Sequence, residues 1–196
     1  MKKIMFNDKY DLTTLVLAEV KTQTRRIIPS ADHENRRYEG APILTNPDGT
    51  KSVLAQFSDK RVLSAYAVGE VVAIAQAYKD IPEFPLLSKQ GVEELKQYPG
   101  WNNKMFVGPV LMPHHIRITG ISVERLQDIS DKDCLAEGIW KSANIGPLGV
   151  TYCYPLYNFP YRTARGAYAA LIDKVSGKGT WDANPYVFVY EFELID

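Results

Sequence analysis

The stretch KTQTRR, residues 21–26, places three cations and three hydroxyl or amide side chains in six consecutive positions. Donors this dense suit a local anion site, in which Lys21, Arg25 and Arg26 meet phosphate or carboxylate oxygens and Thr24 adds a hydroxyl. A plainer origin is also open. Leu12, Leu15, Val16 and Val20 fall on one face of a helix that Asp11 would cap, and the cations would then sit near its carbonyl end, where the helix dipole favours them. That origin explains the charge but not two threonines, mediocre helix formers, just before Ile27-Ile28-Pro29. On a continuing helical turn Lys21 and Thr24 would share a side.

A carboxylate elsewhere asks for such donors. SDKDCLAEGI, residues 130–139, predicts a short helix with Ser130 as its cap, Asp131 and Asp133 in the first turn and Gly138 at the stop. Glu137 then stands at the carbonyl end, where partial negative charge disfavours it, so it needs a cationic partner. Gln76 closes an apolar run and is read equally as a pocket donor or a buried strand-end amide. His114 and His115 point to opposite sides of an extended chain with no Cys or third His nearby, so no metal site is expected, and no cofactor. Cys134 reads as core. With Cys153 it is too little for a disulfide framework and forms no CxxC pair, which fits a reducing cytoplasm.

The elements that must position these groups are β-rich. VGEVVAIAQAY predicts a buried strand over Val71–Ala75, IRITGISVERL a strand with a bend or bulge at Gly120, and YVFVYEFELI a long closing strand. TNPDGTK makes a turn between Ile43-Leu44 and Val53-Leu54, a peripheral hairpin. Tyr168, Leu171, Ile172 and Val175 share a face of a helix over Ala164–Val175 that Gly177 ends, and a second short helix near Val92–Gln97 has Ser88 as its cap. Between Asp80 and His115 prolines 82, 85, 99, 109 and 113 leave mostly loop. Tyr152, Tyr154, Tyr157, Phe159 and Tyr161 crowd an aromatic loop that either covers the core or offers a base a stacking surface. Trp181, Asp182, Asn184 and Pro185 read as a packing and capping turn.

The chain of 196 residues with 45% hydrophobic content suits one globular domain. Lys plus Arg equals Asp plus Glu at 23 each, so no global field draws it to nucleic acid or an anionic membrane, and any anion site is local. Met1-Lys2-Lys3 leads into too few apolar residues for a signal peptide, and no 18-residue apolar span occurs, so a soluble, cytoplasmic protein is expected. Strands with few short helices and no βαβ alternation predict an α+β fold, a mixed sheet or small barrel.

KTQTRR, GEVVAIAQ, ITGISVERLQDISDKDCLAEGI and WDANPYVFVYEFEL occur in the order and approximate spacing of the ASCH family, and the chain resembles its longer, phage-associated branch. The resemblance implies a PUA-like mixed or antiparallel β-barrel with short peripheral helices, a single domain over 1–196 with insertions at about 30–60 and 80–112. In the family signature Gly-x-Lys-x-x-Thr-x-Arg, residues Lys21, Thr24 and Arg26 match, and Glu19 stands at the glycine. Ala136-Glu137-Gly138 resembles the second motif, and Gln76 replaces a glutamate frequent in phage-type relatives. The resemblance implies a pocket where Lys21, Thr24, Arg26 and Glu137 converge, flanked by Arg25 and Gln76. Relatives similar in this trio hydrolyse the amide of N4-acetylcytidine. By that analogy Thr24 attacks the acetyl carbonyl, Lys21 takes its proton and Glu137 relays one to the leaving amine, or Glu137 activates a water. Three function classes follow: a binding protein for RNA or a modified nucleoside, an amidohydrolase acting on an acylated nucleoside, and a barrel retained for regulation. Near-zero net charge weakens only the long-nucleic-acid form of the first.

Overall fold

A computed structural model describes residues 1–29, 37–81, 88–142, 149–156 and 160–196. Pro82, Pro85, Arg36, Tyr157 and Phe159 lie outside the described residues. In chain order the elements are β1 (Lys2–Ile4), α1 (Leu12–Leu17), β2 (Gln23–Ile27), β3 (Tyr38–Gly40), β4 (Ile43–Thr45), β5 (Lys51–Phe57), β6 (Arg61–Leu63) and β7 (Val71–Ile74). There follow α2 (Lys89–Lys96), β8 (His115–Arg125), α3 (Asp131–Ala136), β9 (Trp140–Ser142), β10 (Thr151–Cys153), α4 (Ala164–Ser176), α5 (Thr180–Ala183) and β11 (Tyr186–Leu194). Short 3-10 turns fill the connections. The fold is mixed α+β, and the strand pairings among the described residues run as open sheets without closing into a ring.

Two compact units divide the chain. The first holds residues 1–6, 71–117 and 194–196. There β1 pairs in parallel with β7, and β7 antiparallel with the start of β8. Val72, Ala73 and Ile74 are wholly buried, as the continuous apolar run predicts. The proline-rich segment after β7 forms successive 3-10 turns rather than featureless loop, and one ammonium pins them: Lys3 Nζ donates to the carbonyls of Lys104 at 3.0 Å, Met105 at 2.6 Å and Val107 at 2.7 Å. Ser88 caps α2 by accepting from the Gly91 amide, as expected.

The second unit spans 7–70 and 118–193. The sheet order here is β8, β11, β2, with β11 antiparallel to β2 and Thr24 opposite Tyr190. β4 and β5 form the expected hairpin, Ile43 opposite Val53. Gly120 makes no break in β8; a Cβ there would lie 2.5 Å from the carboxylate of exposed Glu191 on the neighbouring strand, which would have to move aside. In the aromatic segment Tyr154 is buried and meets Tyr10 edge-on, while Tyr152 and Tyr161, joined by a backbone bridge, are half-buried.

Two helix ends meet near β2. α1 stops at Leu17, earlier than the apolar spacing suggests, and Asp11 gives it no side-chain cap. The Glu19 and Val20 amides turn back to the carbonyls of Val16 and Leu15, which puts Glu19 in the left-handed region at φ 56°. α3 ends in the same way: the Gly138 amide reaches Leu135 and the Ile139 amide reaches Cys134, with Gly138 at φ 99°. The chain therefore leaves α1 through a glutamate in a conformation natural to glycine. This is why β2 starts where it does. Exposed Glu19→Gly should stabilise the protein by about 0.5–1 kcal/mol. Gly138→Ala, whose Cβ would lie 2.7 Å from Leu15 Cδ1, should destabilise it by about 1–3 kcal/mol, both read from urea midpoints.

Candidate functional site

Because Gln23–Ile27 is extended, the donors of KTQTRR divide by parity rather than by helical spacing. Gln23 and Arg25 face one side of β2, and Thr24 and Arg26 face the other. The expected shared helical side for Lys21 and Thr24 is thus corrected: the β-branched threonines follow from strand geometry, where they are at home.

Lys21 reaches the carbonyl end of α3. Its Nζ donates to the backbone oxygen of Glu137 at 3.0 Å and forms an ion pair with the Glu137 carboxylate. The Thr22 amide donates to the Ala136 carbonyl at 2.9 Å. Together they satisfy carbonyls that a helix end leaves unpaired. The other Glu137 oxygen accepts from Arg25 Nη1 at 3.2 Å. Arg25 also binds Glu124 at 2.8 Å through Nε and Gln23 at 3.3 Å through Nη1, and its Nη2 stands 3.8 Å from Asp133. Lys21, Arg25 and Glu137 are 2%, 6% and 4% exposed, so one carboxylate and two cations are held out of water. The unfavourable position of Glu137 is relieved by the partner its helix end called for.

Burial sets the protonation balance. Desolvation holds the Lys21 ammonium below the ordinary lysine value despite the attraction of Glu137, and Arg26 and Arg25 push the same way. Burial also opposes the Arg25 cation, but Glu137 leads the attractions that outweigh it and raise its pKa. For Asp133, burial is outweighed by hydrogen bonds from Ser130 and Gln23 and by Arg25, and its pKa falls. Cys134, buried beside them, has its thiol pushed up to about 12 by desolvation, which makes it a core residue and a poor nucleophile.

Of the expected residues, Lys21, Glu137 and Arg25 are in direct contact. Among the described residues neither Lys21 nor Glu137 hydrogen-bonds Thr24, which is buried opposite Tyr190. Arg26 is half-buried, and its charge acts on the hydroxyls of Tyr66 and Tyr190, whose rings meet edge-on at 5.2 Å. Arg25 is enclosed by carboxylates and is not placed to receive a ligand. Gln76 lies in the first unit, where Nε2 makes a 3.4 Å contact with the Asp80 carbonyl and Oε1 has no partner among the described residues. His115 Nδ1 lies 2.6 Å from Asp196, and among the described residues no group of three His, Cys, Asp or Glu is arranged for a metal. No described helix is long and apolar enough to cross a membrane. Sequence reasoning missed Glu124 and Asp133 as partners of Arg25. Asp133 was accounted for as a first-turn residue, and nothing local distinguishes Glu124 at the end of a strand.

No family model, curated protein or solved structure matches the chain.

Glu137→Gln leaves the buried Lys21 ammonium without its counter-charge, Arg25 keeping Glu124, and should cost about 3–5 kcal/mol in urea unfolding, whereas Lys21→Met leaves Glu137 paired with Arg25 and should cost less. The Lys21 shift also fixes a pH dependence. Between its lowered folded pKa and the ordinary 10.5, the unfolded chain binds more protons than the folded one, so this group makes stability rise with pH across that window. Urea midpoints measured up to pH 10.5 should show that rise in the native protein and lack it in Lys21→Met.

Proposed function

We propose that the chain is an ASCH-type protein on a PUA-like barrel, acting in the cytoplasm and binding a modified nucleoside through the Lys21 and Glu137 site. The observation that carries this reading is a lysine, an arginine and a glutamate held together out of water. The carbonyl end of α3 is served by one ammonium, yet Arg25 is buried against the same Glu137, a costly arrangement that stability alone does not ask for. The order of the four motifs supports the barrel.

A nucleoside fits better than a long nucleic acid. Of the local basic patch, Lys21 and Arg25 are spent on internal carboxylates and Arg37 pairs with Glu39. Little charge is left to neutralise phosphates, which supply most non-specific affinity. The hydrolase reading draws support from the lowered pKa of Lys21, which suits a general base, and its reaction would divide N4-acetylcytidine and water into cytidine and acetate. Against it, Thr24 leaves β2 on the face opposite Arg25.

Calorimetric titration with N4-acetylcytidine, cytidine and a single-stranded RNA should find nucleoside binding that Lys21→Ala abolishes while circular dichroism stays native. Any RNA binding should be modest and disappear at high salt. Tight, salt-independent binding to duplex would refute this. Chromatographic release of cytidine by the native protein, lost by about a hundredfold or more in both Lys21→Ala and Glu137→Gln, would move the protein to the hydrolase class.

A further inference from the structure

The first unit carries a surface that the Lys21 and Glu137 site, which belongs to the second, does not use. Between Gln97 and Pro113 the chain holds a single charged residue, Lys104, and its Nζ turns to the carbonyl of buried Phe6 at 2.5 Å. The segment sinks Val107 and Met112 into the unit's core beside Ala73, Ala75 and Ile81. Tyr98, Met105, Phe106, Val110 and Leu111 are left in solvent, from 45% exposed at Leu111 to 85% at Val110. Single exposed apolar side chains need no explanation, but five large ones between residues 98 and 111 form a face, and the turns at Pro99–Trp101 and Lys104–Phe106 that carry much of it pack on each other.

This face is held in place. Lys3 Nζ ties the carbonyls of Lys104, Met105 and Val107 to β1, and the Asn103 side chain accepts from the Met105 amide at 3.0 Å. A Cβ at Gly100 would lie 2.5 Å from the Tyr78 ring, so the first turn sits tightly on its neighbour. Side chains presented on a fixed backbone lose less entropy on association than those of a mobile loop.

We propose that this face is an interface on which a second copy of the chain docks, the two faces pairing about a two-fold axis. Charge selects the occupant. In an isologous contact every charge on the face meets its own copy, with a like-charge penalty, and this face presents none. A peptide or nucleic acid of either sign would find no counter-charge there. An anionic membrane would find both nearby ammoniums, Lys3 and Lys104, engaged with backbone carbonyls. Composition agrees, since interfaces are enriched in aromatic residues and methionine and depleted of lysine and carboxylates. At their observed exposure the five side chains cover roughly 500 Å² per copy, so a two-fold pair buries about 1,000 Å², the lower bound of a specific interface and one suited to a weak, reversible dimer.

Sedimentation equilibrium of the full chain over about 1–100 μM should show a monomer–dimer equilibrium that added salt leaves unchanged or strengthens, because no ion pair holds it. Phe106→Glu and Val110→Glu each set a carboxylate near its own copy and should weaken the dimer about tenfold or more, with native circular dichroism, since both side chains are exposed. Where one variant fails to fold, the other is read. A native protein that is monomeric throughout that range overturns the proposal, as does a dimer unchanged in both variants or one dissolved by salt. Loss of fold in both variants shows that these side chains serve the chain's own core and overturns it as well. Monomeric protein that floats with phosphatidylcholine vesicles, and no longer does so as Phe106→Glu, gives the face to a lipid surface instead.

Discussion

An ammonium buried against a carboxylate at the carbonyl end of a short helix organises the second unit. Lys21 binds both the side chain and the backbone oxygen of Glu137, so the same contact neutralises a charge and finishes a helix. It holds only because the flanking backbone turns twice through the left-handed region, at Glu19 and at Gly138. The turn at Glu19 aims Lys21 at α3, and the one at Gly138 leaves room for Leu15 beside it. Local backbone conformation and long-range electrostatics therefore specify one another across more than a hundred residues of sequence.

Arg25 converts this pair into something less ordinary. An isolated buried ion pair gains little over an apolar substitute, because desolvation consumes the Coulombic gain. Adding a guanidinium that cannot release its proton gives Glu137 a second cation and leaves Lys21 as the group whose protonation burial can shift. Partly exposed Glu124 and Asp133 face Arg25 from β8 and α3, so the network grades from dry interior to wet rim.

Much of this was legible in the residues. The strands at Val71–Ile74, His115–Arg125 and Tyr186–Leu194, the Ser130 and Ser88 caps and the stops at Gly138 and Gly177 each rest on a local signal that the tertiary structure reinforces. The need of Glu137 for a cation was readable from helix electrostatics alone. The failures share one cause. KTQTRR was weighed as the continuation of α1, but α1 ends four residues earlier in a turn whose left-handed residue is a glutamate, so the usual glycine marker was missing. Once the period changes from helix to strand, Thr24 and Arg25 exchange neighbours. Likewise Gly120 signalled a bend, yet β8 runs through it unbroken beside the Glu191 side chain of the next strand, a neighbour that no local pattern records.

The three carbonyls gathered around Lys3 carry a consequence of another kind. They coordinate the ammonium much as a crown ether coordinates a small cation, and they come from a segment that has only 3-10 turns of its own. Contacts this short are little screened by dissolved salt, so ionic strength leaves the segment in place. Acetylation of that one amine would remove its charge and two of its three protons, undoing the whole cage by a single covalent event.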